Sequence, residues 1–104
     1  MITLDAKRYM VNGLYNNISH VLCYVGDEEI RLNIYKKTIS NDTLEVRVYL
    51  DDTIKGRVYN FRIVDDLETS LFTPNLDFVK SDTSSLLLSF EINGIEVITN
   101  DYIQ

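Results

Sequence analysis

The chain has 104 residues, 45% of them apolar and 25% charged, which suffices for one small core and excludes disorder as the default state. A net charge of −6 argues against general nucleic-acid binding, and no apolar run approaches the length of a membrane span. With one Cys and one His, an internal disulfide, a cysteine metal cluster and a His-rich metal centre are all excluded. The charge is uneven. Residues 1–62 hold nine Lys or Arg against eight Asp or Glu, whereas residues 63–104 hold only Lys80 against eight acids.

Residues 1–19 admit two readings. One is a short helix with Thr3 or Asp5 as N-cap and Gly13 just past its end. The other is a strand at Ile2-Thr3-Leu4 followed by a hairpin turning at Asn12-Gly13. Gly13, Asn16 and Asn17 are poor helix formers, which favours the strands. The start, Met-Ile-Thr-Leu-Asp, has neither the basic residues nor the apolar block of a secretory signal. The expected location is the cytoplasm or a phage particle.

Residues 20–25 read as a strand. Cys23 shares a face with Val21 and Val25 and is expected to be a small buried apolar side chain. His20, at the strand's start, reads as a strand-end polar residue. A loop at 26–29 leads into a strand beginning at Ile30, with Val25 expected opposite Ile30 and Cys23 opposite Leu32. Tyr24 then falls beside Arg31, where ring and guanidinium can stack.

Residues 30–64 carry the clearest signal. Ile30, Leu32 and Ile34 alternate with polar residues, as do Leu44, Val46, Val48 and Leu50, and then Tyr59, Phe61 and Ile63. Strict alternation marks strands with one buried and one wet face. A loop at 53–56, closed by Gly56, sets Asp52 opposite Arg57 and Leu50 opposite Tyr59. Ile34 opposite Leu44 and Leu32 opposite Val46 complete a four-stranded meander over 20–64. A slip of two residues would also keep these faces matched.

Residues 65–68, Asp-Asp-Leu-Glu, have the form of a capped helical turn, and Pro74 stops any continuation. A Ca²⁺ loop at Asp65, Asp66 and Glu68 is disfavoured, because the alternating spacing and central Gly are missing. A short strand at 76–80 and a polar turn at 81–84 follow. Residues 85–92 and 95–99 then form a hairpin around Asn93-Gly94, pairing Ile92 with Ile95 and setting Glu91 opposite Glu96. The expected fold is all-β and mainly antiparallel. It is a small β-sandwich or partly open barrel, built on the meander plus the C-terminal hairpin, with room for one short helix, in a single domain over 1–104.

The chemistry of catalysis is missing. His20 and Cys23 lie three apart on one strand and point to opposite faces, and the four glycines do not cluster into a phosphate loop. The chain reads as a non-enzyme with no cofactor. Attention falls instead on the meander's wet face, which carries Tyr24, Tyr35 and Tyr49 and sets Arg31, Arg47 and Arg62 side by side. The row reads as three solvated arginines, relieved by a register two residues away that brings Glu29 or Glu45 beside an Arg. A contact to a carboxylate or phosphate is the functional alternative.

The first expectation is a β-domain working by surface contact with a protein partner or further copies of itself. It would be an assembly or adaptor subunit, most concretely of a phage particle or mobile element. The second is an acidic inhibitor filling a basic groove on a nucleic-acid enzyme, through residues such as Asp65, Asp66, Glu68, Glu91 and Glu96. A third is a small-ligand or carbohydrate module using the tyrosines.

Overall fold

A computed structural model describes residues 3–40, 43–81, 84–93 and 96–103; for Leu4, Lys7 and 96–103 only the backbone is described. The chain is mostly antiparallel β with one short helix, and the sheet curls into a half-barrel. The helix α1 spans Leu4–Asn17, followed by β1 (His20–Val25), β2 (Glu28–Ser40), β3 (Thr43–Leu50) and β4 (Gly56–Val64). β5 (Ser70–Phe72), β6 (Phe78–Lys80), β7 (Leu86–Asn93) and β8 (Glu96–Ile103) complete it.

The N-terminal hairpin expected around Asn12-Gly13 is instead part of α1. Thr3 caps the helix, its Oγ1 accepting from the Ala6 amide at 3.1 Å. The other end is held from outside: Lys37 Nζ donates to the carbonyls of Tyr15 (2.6 Å) and Ile18 (3.3 Å). A cation there complements the helix dipole and satisfies carbonyls that lack helical partners. Val11, Leu14, Tyr15 and Ile18 turn into the core. That burial outweighs the poor propensity of Gly13, Asn16 and Asn17, which lie on the exposed side.

β2 organises the sheet. Its first half pairs β1 from Glu28 to Asn33, and its second half pairs β3 from Ile34 to Ser40. Between them the register shifts: Ile34 faces Val48, but Lys36 faces Arg47. One extra residue sits in β2, and the strand bends there, as a bulge allows. The core-facing set changes from Ile30, Leu32 and Ile34 to Lys37 and Ile39. Sequence composition put a turn at 37–43, but β2 runs on to Ser40, and residues 41 and 42 lie outside the described residues.

The four-stranded meander does not form in the expected order. β3 pairs with β2 and β7, β4 pairs with β1, and the strand order is β5-β4-β1-β2-β3-β7-β8. Residues 51–55 therefore cross between the two halves of the curled sheet instead of closing a hairpin. Asp51 folds that crossover by accepting from the Thr53 amide at 2.9 Å. Leu50 faces Leu86, not Tyr59. The match of β3 to β7 is apolar throughout its inner face: Leu44 with Ile92, Val46 with Phe90, Val48 with Leu88. β4 meets β7 across the core instead, with Phe61 and Phe90 rings 6.0 Å apart.

The β1–β2 hairpin forms two residues away from the expected register, with Val25 opposite Glu28 and Cys23 opposite Ile30. Its loop is Gly26-Asp27, and Gly26 has φ 62°, a left-handed angle that the first position of a two-residue turn demands. The β7–β8 hairpin is displaced by the same amount in the opposite direction: Ile92 faces Val97 and Asn93 faces Glu96, with residues 94 and 95 outside the described residues.

Residues 65–69 form a turn without helix, in which Asp65 Oδ1 accepts from the amides of Leu67 and Thr69 at 3.0 and 2.8 Å. The chain then returns along β4. β5 pairs Ile63 and Val64, and β6 pairs Gly56 to Val58, so residues 70–80 form an edge strand interrupted near Pro74. Buried Lys80 fastens the far end, donating to the carbonyls of Ile54, Ser81 and Ser84 at 2.7, 3.1 and 2.6 Å.

Candidate interaction surface on the convex face

Side chains pointing away from the core form the convex face of the half-barrel. All six predicted contact residues, Tyr24, Arg31, Tyr35, Arg47, Tyr49 and Arg62, fall there by strand alternation. They do not form the expected row of three arginines. Pairing β4 with β1 and β3 with β7 divides them into two groups, one on each half of the sheet.

The first group lies on β1, β2 and β4. Tyr24 faces Glu29 on one side and Tyr59 on the other, and Leu22 lies between Arg31 and Arg62. Tyr59 and Arg62 share the convex face although they are three positions apart. An extra residue in β4, Asn60 at φ 56°, makes this possible. Asn tolerates that left-handed angle better than most residues. This bulge also corrects the expected phase of β4, because Phe61 and Ile63 point inward while Tyr59 points outward.

Two arginines here are paired with carboxylates. Arg62 Nη2 lies 2.6 Å from Glu29 Oε2, and its guanidinium carbon lies 5.7 Å from the Tyr24 ring centre. Arg57 forms a two-pronged pair with Asp77 at 3.0 and 2.7 Å and lies 4.1 Å over the Tyr59 ring. That pair holds the Asp77 carboxyl below the usual carboxylate range. Tyr59 donates to the Gly26 carbonyl at 2.7 Å and meets Tyr24 at a ring distance of 5.7 Å. The cation–ring partner of Tyr24 is thus Arg62 and not Arg31.

The second group lies on β2, β3 and β7. Tyr35 points outward at the β2 bulge, with its ring 6.3 Å from that of Tyr49. Tyr35 is 66% exposed and Tyr49 40%. Beside them, Glu45 meets Arg47 Nε at 3.0 Å and accepts from buried Ser89 Oγ at 2.8 Å. The Ser89 hydrogen bond does most to lower the Glu45 carboxyl's pKa; burial opposes it, and Arg47 adds a further lowering. Carboxylates stand beside two of the arginines, Glu29 beside Arg62 across β1 and Glu45 beside Arg47 on the same strand, and neither contact comes from the expected slip of neighbouring strands.

The acidic residues do not gather in one place. Asp65, Asp66 and Glu68 share the turn before β5, whereas Glu91 faces Glu45 on β3 and Ile98 on β8. Glu96 faces Asn93, so the expected Glu91–Glu96 pair does not form; its side chain, and Asp82, lie outside the described residues.

Two buried groups escaped the sequence reading. His20 is only 2% exposed, with Nδ1 2.9 Å from Ser19 Oγ and Nε2 4.0 Å from Glu68 Oε2. Leu22 and Val64 are buried but lie outside the main core cluster, on the same convex side. Cys23 is fully buried on the concave side, as expected, and burial raises its thiol pKa to about 12. Among the described residues, no group of His, Cys, Asp and Glu is placed to hold a metal ion, and no helix is long and apolar enough to cross a membrane. Compared with known proteins, the chain matches no family model, no curated protein and no solved structure.

Proposed function

We propose that this protein is a non-enzymatic β-domain that acts by surface contact, as an assembly or adaptor subunit of a larger complex. A component of a phage particle or mobile element is its most concrete form. The observation that carries this reading is the exposed Tyr35–Tyr49 pair. Tyrosine combines contact area with a polar tip and loses little conformational freedom on docking. Beside the pair, Glu45 already holds Arg47 and Ser89 in place, so a partner could meet a preformed surface.

Light scattering after size exclusion, with cross-linking to a stoichiometric partner, tests the reading. Self-association or complex formation is expected, and the double change Tyr35→Ser with Tyr49→Ser should abolish it. A strict monomer at high concentration that captures no stoichiometric partner would remove the reading. A carbohydrate or small-ligand module is the second reading, favoured by the same ring pair beside polar groups. It predicts a hit in a glycan thermal-shift screen. An acidic inhibitor ranks behind both, because Glu91 stands away from the Asp65–Glu68 turn; its binding would weaken steeply with salt.

A further inference from the structure

The second surface worth weighing lies at the edge of the half-barrel. A groove of about 560 Å³ runs between one side of α1 and β5. Tyr9, Met10, Gly13 and Leu14 line it from the helix, and Leu71 and Phe72 from the strand. Tyr9 is 80% exposed, although its ring stands over this mainly apolar floor.

What the groove would hold is set by its two walls. β5 is the last strand on its side of the sheet, so its outer backbone edge is unpaired among the described residues. Such edges are usually guarded by charge. Ser70, Leu71 and Phe72 carry none, while β8 on the opposite edge contains Glu96 and Asp101. An added strand would hydrogen-bond to this edge and send alternate side chains into the groove. Its other side chains would face a rim that is mostly acidic. Asp65 lines the groove, and Asp66 and Glu68 follow it on the same exposed turn.

We infer that the α1–β5 groove takes an extended segment of a partner protein in which apolar and basic residues alternate. The inference rests on the reading of the protein as a contact domain and names a partner class for one of its surfaces. A second copy of this acidic chain would bring like charge to the rim and is the less fitting occupant.

Gly13 supplies a clean test. A Cβ built there meets nothing within 4 Å, so a side chain can start from that position into the groove. Replacing a helical glycine also favours the helix, so Gly13→Leu should fold at least as well as the parent. The probe is a synthetic peptide of alternating valine and lysine, titrated into the full chain and followed by amide chemical shifts. The expected result is saturable binding, with shifts confined to 70–72 and to residues 9–17 of α1. Gly13→Leu should weaken it by about tenfold or more, equivalent to about 1.4 kcal/mol. A valine–glutamate peptide should bind more weakly than the valine–lysine one.

Shifts elsewhere, no saturation, or an unchanged affinity in Gly13→Leu would overturn the inference. So would tighter binding of a leucine–lysine peptide with helical spacing, or a dimer that Gly13→Leu dissolves. Tyr35→Ser with Tyr49→Ser should leave peptide binding untouched, which separates failure of this groove from failure of the convex-face reading.

Discussion

The concave and convex faces of the sheet obey different rules. The concave face is apolar and is buried by the curl of the sheet and by α1: Phe61, Phe90, Leu44, Leu50 and Ile63 are all enclosed. Its side chains are interchangeable in kind, and what matters is volume and burial. The convex face is built from specific pairs, Arg62 with Glu29, Arg57 with Asp77 and Glu45 with Ser89, each depending on which strands become neighbours. One strand, β2, serves both faces and changes its inward set at a bulge. That single inserted residue turns Lys36 outward and Lys37 and Ile39 inward, while Tyr35 lies outside by ordinary alternation from Ile34.

The sharpest way to break this comparison is to truncate one ring on each side. Phe90→Ala should cost about 3–5 kcal/mol in urea unfolding, as large cavities do. Tyr49→Ala should fall within about 0.5 kcal/mol of the parent. Similar losses would mean that the convex tyrosines are part of the folded state's support and are not free for a partner.

Cations sharpen it next. Lys80 is 4% exposed and donates to three carbonyls, whereas Arg47, Arg57 and Arg62 pair in partial contact with water. Lys80→Ala should cost about 2–3 kcal/mol by leaving those carbonyls unpaired. A loss near zero would show that water replaces the ammonium at no cost.

The faces should also answer pH in opposite directions. Cys23, on the concave side, has its thiol raised from 9.0 to about 12. The unfolded chain then loses that proton first, so stability should fall as pH rises from 9 towards 12, with a slope of up to about 1.4 kcal/mol per pH unit from this group. Cys23→Ala should shrink the decline. On the convex side, the Glu45 and Asp77 carboxyls are lowered. Their contribution is complete above the unfolded carboxylate range and is lost as pH falls through the lower folded values. Urea midpoints from pH 7 down to pH 2 would show whether Glu45→Gln flattens the acid limb.

The smallest expected effect is the coupling of Arg62 to Glu29. A double-mutant cycle should return about 0.2–1 kcal/mol, the usual range for such surface pairs. A larger coupling would make this pair a determinant of the β1–β4 register.

Much of the fold could be read from alternation. The strands at 20–25, 44–50, 57–64 and 86–92 lie where period-two patterning placed them, and Cys23 is buried as expected. The helix was the difficult segment, because Asn12-Gly13 is a strong turn signal and nothing local reveals Lys37 waiting at the helix end. The six convex residues were found by face alone. Their grouping was not, because β4 and β7 offer β3 equally alternating apolar faces, and a pattern of period two does not choose between them.

By itself, then, the sequence determined which side of each strand is oily. That follows from the cost of leaving apolar side chains in water, and it is a property of each short stretch. Which strand lies beside which was decided only in three dimensions. There the summed burial of β3 against β7 and of β4 against β1 outweighs the short loop between β3 and β4. The tyrosine pair, the salt-bridged arginines and the groove beside β5 all descend from that choice of neighbours.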